Sequence, residues 1–337
     1  MQIRSFERAF ELTDYTQEIT SIPNTWGLIN ELGFFRNESV SQHSITVESK
    51  QGTLAVLTDM VRGARAAVSK DHVSSLRSFP IPHFPFDDYV SPQDIQGRRM
   101  YGTPDQAETE ANVIATKLAR LRQAHAVTLE VARAYALTTG AIYAPNGTVA
   151  GNYYTDFGVT KKVVDFVLGT ATTDVISKNE EVIAHIQDNI LSGESVTNII
   201  VLASPEWFNK YVNQAGVKEA YKYYQSTQEP LRNRLASGMY RRFVHGGLEI
   251  VEYRGSYNGA PLITSGKAYA IPQGTQDMFV SYFSPANKFS HVNTLGEQVY
   301  AFSTRDLSDE KITLQTESNA LHLVRRPQAV VELTSSN

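Results

Sequence analysis

An α+β fold with segregated elements follows from three stretches of this 337-residue chain: one overlong helical segment, a proline-rich extended stretch before it, and a β-rich final 60 residues. The helical segment covers 104–139. Thr103 is placed as its N-cap and Pro104 at the first helical position, and Gln106 completes a capping-box pattern. Asp105, Glu108 and Glu110 put negative charge in and near the first turn, and Gly140 stands where a glycine ends a helix. At roughly 1.5 Å per residue the rod is about 50 Å long, whereas a typical globular helix has roughly 11–12 residues. A rod of that length carries something far from the rest of the chain.

The elements follow in order. Residues 1–50 are polar with scattered aromatics, among them Trp26, Phe34 and Phe35, and read as an extended arm with one short helix near 26–32. From 53 to 78 the chain begins apolar (Leu54, Ala55, Val56, Leu57) and turns basic through Arg62, Arg65, Lys70 and Arg77. Both flanks of this stretch are expected as strands of a long exposed hairpin. Pro80, Pro82 and Pro85 then exclude helix and interior strand, leaving a stiff extended strap. Along the long helix, Ala107, Ala111, Ile114, Leu118, Leu121, His125, Leu129, Ala132 and Ala136 form one alanine-rich stripe, with Arg133 off it. Asn146-Gly147 predicts a hairpin over 141–154. Helices are expected at 174–189 and from Ser204-Pro205 onward, the latter by cap and first-turn rules. Strands are expected at 198–202, 248–253, 268–271, 279–283, 298–302, 311–316 and 321–324.

Composition bounds the function. Hydrophobic residues at 42% supply a sizeable core, and the net charge of −4 argues against a chain built overall to coat nucleic acid. The absence of cysteine excludes a disulfide framework, a thiolate metal site and a cysteine nucleophile. The first eight residues lack the apolar core of a signal peptide, and no run approaches about 18 apolar residues, so no membrane span is expected. Gly259 and Gly266-Lys267 stand too far apart for a phosphate loop, and Ala268 occupies the magnesium-binding position. His245-Gly246-Gly247 has the composition of an oxyanion loop but no nucleophile motif to serve. The closest histidines in sequence, His72 and His83, are 11 apart and form no helical ligand pair. No catalytic residue, metal or cofactor is expected. The one suggestive constellation is 218–243, where Lys218, Lys222, Arg232, Arg234, Arg241 and Arg242 alternate with Tyr221, Tyr223, Tyr224, Tyr240 and Phe243. Such a segment suits a solvated face, a protein interface or single-stranded nucleic acid, and a nucleic-acid-binding protein using it is the alternative function.

An arm, a long hairpin, a proline strap, a lone long helix and an α+β body suit an interlocking tile better than an enzyme. The chain resembles the lambda-type phage major capsid proteins (the major capsid protein E family) with the HK97-like fold. The residues carrying the resemblance are Phe34-Phe35-Arg36, the strap over 79–92, the hairpin position over 53–77, and Ile199-Ile200-Val201 before Ser204-Pro205 and Trp207. They continue with Tyr221, 232–240, Tyr253, Gly255, Tyr257 and Gly259, and the tail over 313–333.

The resemblance implies an N-terminal arm over 1–42 and an extended loop (E-loop) with its strap over 43–98. It implies a peripheral (P) domain over 99–174 with a spine helix at 104–139, an axial (A) domain over 175–284, and P-domain return strands with a tail over 285–337. The P-domain sheet is expected to use the 141–155 hairpin and strands from about 285. Pentamers and hexamers of an icosahedral shell around double-stranded DNA, bound without sequence specificity, are the implied assembly, in the virion and built in the host cytoplasm. A separate scaffolding protein and a portal protein are implied partners, and a decoration protein is left open. Interface residues are expected at Arg62, Arg65, Lys70 and Arg77 of the E-loop, and at Tyr223, Tyr224, Arg232, Arg234, Arg241 and Arg242 of the A domain. Phe34, Phe35 and Arg36 are expected as arm contacts.

Overall fold

A computed structural model describes residues 13, 14, 16, 19, 27–51, 73–97, 109–190, 194–222 and 240–336. The first third holds β1 (Thr13–Asp14), α1 (Leu28–Leu32), β2 (Arg36–Ser39), β3 (Ser44–Gln51), β4 (Val73–Pro80) and β5 (His83–Val90). The middle holds α2 (Glu110–Thr139), α3 (Tyr153–Phe157), β6 (Lys162–Asp165), α4 (Val175–Asn189), β7 (Asn198–Ala203) and α5 (Pro205–Asn213). Then come β8 (Arg242–His245), β9 (Leu248–Glu252), β10 (Ser256–Tyr257), β11 (Ala260–Pro261) and β12 (Ala268–Gln273). The chain ends with β13 (Phe279–Phe283), β14 (Tyr300–Arg305), β15 (Ile312–Val324) and β16 (Val331–Thr334).

The long helix exists, but α2 starts at Glu110, six residues later than expected. Its N-cap is Thr109, whose hydroxyl accepts a hydrogen bond from the Asn112 amide at 3.3 Å. The competing cap at Thr103 lies outside the described residues. Gly140 ends the helix in the left-handed region, at φ 69°, as expected. The 30 residues of α2 make a rod of about 45 Å.

The described strands form two six-stranded sheets, and α2 packs on β15 and β5 of the first. The first has the order β1-β14-β15-β13-β2, with β5 on the free side of β15. β2 runs parallel to β13 and the other pairs are antiparallel. β5 is an edge strand, which is how it accommodates Pro85. The expected separate strands at 311–316 and 321–324 are one continuous β15. The polar residues between them are buried and satisfied in place: Asn319 donates to the Pro285 carbonyl at 2.9 Å, and Glu317 accepts from the Asn287 amide at 2.9 Å.

The second sheet has the order β6-β16-β12-β7-β9-β8. It is apolar on both faces, which explains the unbroken run from Ile199 to Leu202. Ile200 and Leu202 face the core shared with the arm and the end of α2, while Val201 and Ala203 face α4 and α5. Ser204 caps α5 as expected, and Asp174, expected as the first residue of its helix, is the N-cap of α4.

The sheets cut across the expected domain segments. β6 and β16 come from the segments assigned to the P domain and the tail, yet they join β12 in the second sheet, β16 lying between β6 and β12. β13 comes from the segment assigned to the A domain, yet it pairs β15 and the arm strand β2. The expected 141–155 hairpin is a correction: it contributes nothing to the first sheet. The turn is present, with the Gly147 amide donating to the Ala144 carbonyl at 2.9 Å, but only one bridge forms, Ala141 to Asn152. Asn152 ends the return strand because its side chain accepts from the Tyr154 and Thr155 amides and starts α3.

Candidate assembly surfaces

β3 and β4 form a two-stranded antiparallel hairpin, and neither pairs with another described strand. Its root is anchored. Phe79 is buried edge-to-face against Tyr153 at 5.7 Å, and Ile45 and Val47 pack on the main core. Its outer part is not: Leu76 is 71% exposed and Arg77 is exposed beside it. Arg62, Arg65 and Lys70 lie outside the described residues. A hairpin of two strands is marginal in water by itself, so the uncovered half needs another surface.

The arm docks on its own subunit through a buried polar junction. Glu130 of α2 is fully buried and accepts from the amides of Ile29 at 2.8 Å and Asn30 at 2.9 Å. It also accepts from the Tyr253 hydroxyl at 2.8 Å. The carboxylate thus supplies the N-terminal cap that α1 lacks, since Gly27 has no side chain to offer. Gly27 sits at φ 98°, and a Cβ there would lie 2.3 Å from the Glu130 carboxyl carbon. Burial pushes the Glu130 pKa up, against the three hydrogen bonds and the nearby Arg133, which favour the charge.

Arg133 was expected off the buried stripe and is buried instead. It donates to Asn30 at 2.9 Å, to Asn37 at 2.7 Å and to Ser281 at 3.1 Å, and lies over the Phe35 ring at 5.4 Å. Burial lowers its pKa to about 10 despite Glu130.

This junction changes the reading of the expected arm contacts. Phe34 and Phe35 are buried in the subunit's own core, Phe35 edge-to-face with Phe279 at 5.8 Å. They are therefore not available to a neighbour, because the parallel β2–β13 pairing seats the arm on the first sheet. Arg36 remains at the surface, paired with Glu38 and Asp277, each at 2.9 Å.

The basic segment is only partly described: Lys218 and Lys222 are exposed, whereas Arg241 and Arg242 meet acids. Arg241 pairs with Glu252 and lies over the Phe208 ring at 4.8 Å. Arg242 pairs with Glu249 at 2.8 Å. Cross-strand acids of β9 meet these arginines, which weakens the nucleic-acid alternative at both positions. Tyr223, Tyr224, Arg232 and Arg234 lie outside the described residues.

The histidine on the α2 stripe is satisfied within the chain. His125 Nε2 meets the Thr316 hydroxyl at 2.9 Å and Nδ1 meets the Ser318 hydroxyl at 3.0 Å. Burial, assisted by positive Arg122, lowers its pKa to about 4. Among the described residues no cluster of histidines and acids is arranged to hold a metal, and no helix is long and apolar enough to cross a membrane.

One surface escaped the sequence reading. The loop between β13 and β14 carries Phe289 fully exposed, with Val292 and Leu295 mostly exposed. The signal was there in three apolar residues, three apart, within a polar loop.

The architecture is that of the HK97-like phage capsid proteins. It matches the mature capsid subunit of bacteriophage PhiM1 with a TM-score of 0.53 at 13% identity, covering 90% of this chain and 86% of that one. It matches the capsid of cyanophage P-SCSP1u with a TM-score of 0.53 at 11% identity, covering 93% and 89%. The chain belongs to the phage major capsid protein E family, whose model matches residues 11–335. It is 41% identical over 345 residues to the major capsid protein of Pseudomonas phage KPP10, covering 98% of each chain. The corresponding protein of Salmonella phage Felix O1 is 28% identical over 366 residues, covering 99% of this chain and 98% of that one. The chain is thus the structural subunit of a tailed-phage shell.

Proposed function

We propose that this subunit builds pentamers and hexamers by laying the β3–β4 hairpin over one neighbour and running its N-terminal arm along another. The observation that carries this is the hairpin itself, paired only within itself among the described strands and exposing Leu76 and Arg77. In this reading 43–98 is the E-loop and α2 is the spine of the P domain. The body over 175–284 is the A domain at the capsomer centre, and Arg62, Arg65, Lys70 and Arg77 contact the neighbour. Many such modest contacts, closed by symmetry, make the shell far more stable than any one of them.

A separate scaffolding protein guides assembly in the host cytoplasm, a portal protein occupies one vertex, and a decoration protein is compatible with the outer face. The packaged double-stranded DNA is enclosed without sequence readout, in keeping with a net charge of −4 and with the pairing of Arg241 and Arg242 to acids of their own subunit.

The test replaces residues 52–72 with a two-residue turn and co-expresses the variant with the scaffolding protein. The variant is expected to fold, with native circular dichroism, and to sediment as unassembled subunits. Closed particles from it would show that the residues between β3 and β4, Arg62, Arg65 and Lys70 among them, are not needed for assembly.

A further inference from the structure

Arg122 of α2 and His322 of β15 line one partly enclosed cavity between the helix and the first sheet. They are 6% and 5% exposed, and Arg122 Nε and His322 Nε2 are buried with no partner among the described residues. A buried polar nitrogen is nearly always satisfied, by protein or by ordered water, because leaving it unpaired costs stability.

The cavity volume is about 20 Å³, which holds one water molecule and no larger group. Phe84, Ala126 and Leu129 give it apolar walls, and Ser318, whose hydroxyl meets His125 Nδ1 at 3.0 Å, adds a third polar group. Arg122 Nε can only donate. His322 is kept neutral by burial and by positive Arg133, so one ring nitrogen donates and the other accepts. Its Nδ1 meets the Ser281 hydroxyl at 2.8 Å, and that oxygen already accepts from Arg133 at 3.1 Å. The Ser281 proton is free to point at Nδ1, and the ring's own proton is then on Nε2.

We propose that this cavity is the binding site of one ordered water, which accepts from Arg122 Nε and His322 Nε2 and donates to the Ser318 hydroxyl. Three polar partners are the usual complement of a buried water, which is retained at such sites because removing it is costly. The water also closes a polar chain. From Arg122 the chain passes through His322 and Ser281 to Arg133, which reaches Asn30 at 2.9 Å and Asn37 at 2.7 Å. It thereby ties the middle of α2 to β15, to β13 and to the docked arm. The site belongs to the single subunit and does not rest on the shell-building reading above.

Two measurements on the full-length chain test it. The first is a crystallographic or cryo-electron microscopy map of wild type at a resolution that shows ordered water. One spherical peak is expected in the cavity, within about 3.2 Å of both nitrogens. The second is the melting temperature of unassembled wild type, Arg122→Met, His322→Gln and the double variant. Both single variants are expected to melt lower than wild type. Because they share one water, the loss in the double variant should fall short of their sum by about 1 °C or more.

A wild-type cavity without density overturns the proposal, as does a peak that reaches only one of the two nitrogens. Losses that add in the double variant overturn the bridge. A peak that bromide replaces marks a halide site and overturns the water. If either variant fails to fold, the wild-type map decides by itself.

Discussion

Replacing Glu130 with alanine takes the acceptor away from three donors at once: the Ile29 and Asn30 amides and the Tyr253 hydroxyl. All three belong to elements distant in sequence, the arm helix α1 and the residue that follows β9. A buried donor left without a partner costs about 1–3 kcal/mol. Three of them set an upper range of roughly 3–9 kcal/mol, reduced by water entering the space and by release from the cost of burying the charge. A net loss of about 3 kcal/mol is expected. Glutamine separates the components. Its oxygen can stay on the Ile29 amide and the Tyr253 hydroxyl, but its NH₂ then faces the Asn30 amide, donor against donor. Glu130→Gln is therefore expected to cost about 1–2 kcal/mol, less than alanine. Urea unfolding of unassembled subunits, followed by circular dichroism, measures both. An alanine variant within about 0.5 kcal/mol of wild type, the usual range for surface substitutions, would refute the acceptor accounting, as would a glutamine variant costing as much as alanine.

Acid should destabilise the subunit through His125. Its folded pKa of about 4 lies below the unfolded value near 6.5, so the stability it contributes is complete above about 6.5 and is lost as pH falls toward 4. The loss attributable to this one residue is about 3 kcal/mol, and the difference between wild type and His125→Gln in urea midpoint against pH should show it; parallel profiles for the two would contradict it. Gly140→Ala should lower the melting temperature. The residue holds φ 69°, and an added Cβ would lie 2.2 Å from the Tyr154 ring. A cost of at least about 1 kcal/mol is expected, and an unchanged melting temperature would mean that the helix end re-forms around the alanine.

Local signals in the chain were legible where they act locally. Ser204-Pro205 starts its helix where cap chemistry places it, and Gly140 stops the long helix. The start of that helix was misplaced because Thr103, followed by Pro104 and Gln106, fits the cap rules better than Thr109, which is the N-cap in the structure. Glu317, Ser318 and Asn319 look like a strand break until their distant partners are known. Arg133 was placed off the buried stripe for the same reason. Periodicity assigns a helix face, but the partners that make a buried charge tolerable lie about 100 residues away in each direction. The pairing of β16 into the second sheet was likewise out of reach of local pattern. The family resemblance supplied the architecture that the local rules could not; of the expected arm contacts, Phe34 and Phe35 are buried within the subunit and Arg36 is at the surface.

The most direct test of the central claim is a cryo-electron microscopy reconstruction of particles formed by the full-length chain with its scaffolding protein. The account predicts closed icosahedral shells in which the β3–β4 hairpin of each subunit lies on an adjacent subunit, with Leu76 and Arg77 covered by it. Shells in which that hairpin folds back on its own subunit, leaving the neighbour untouched, would contradict it.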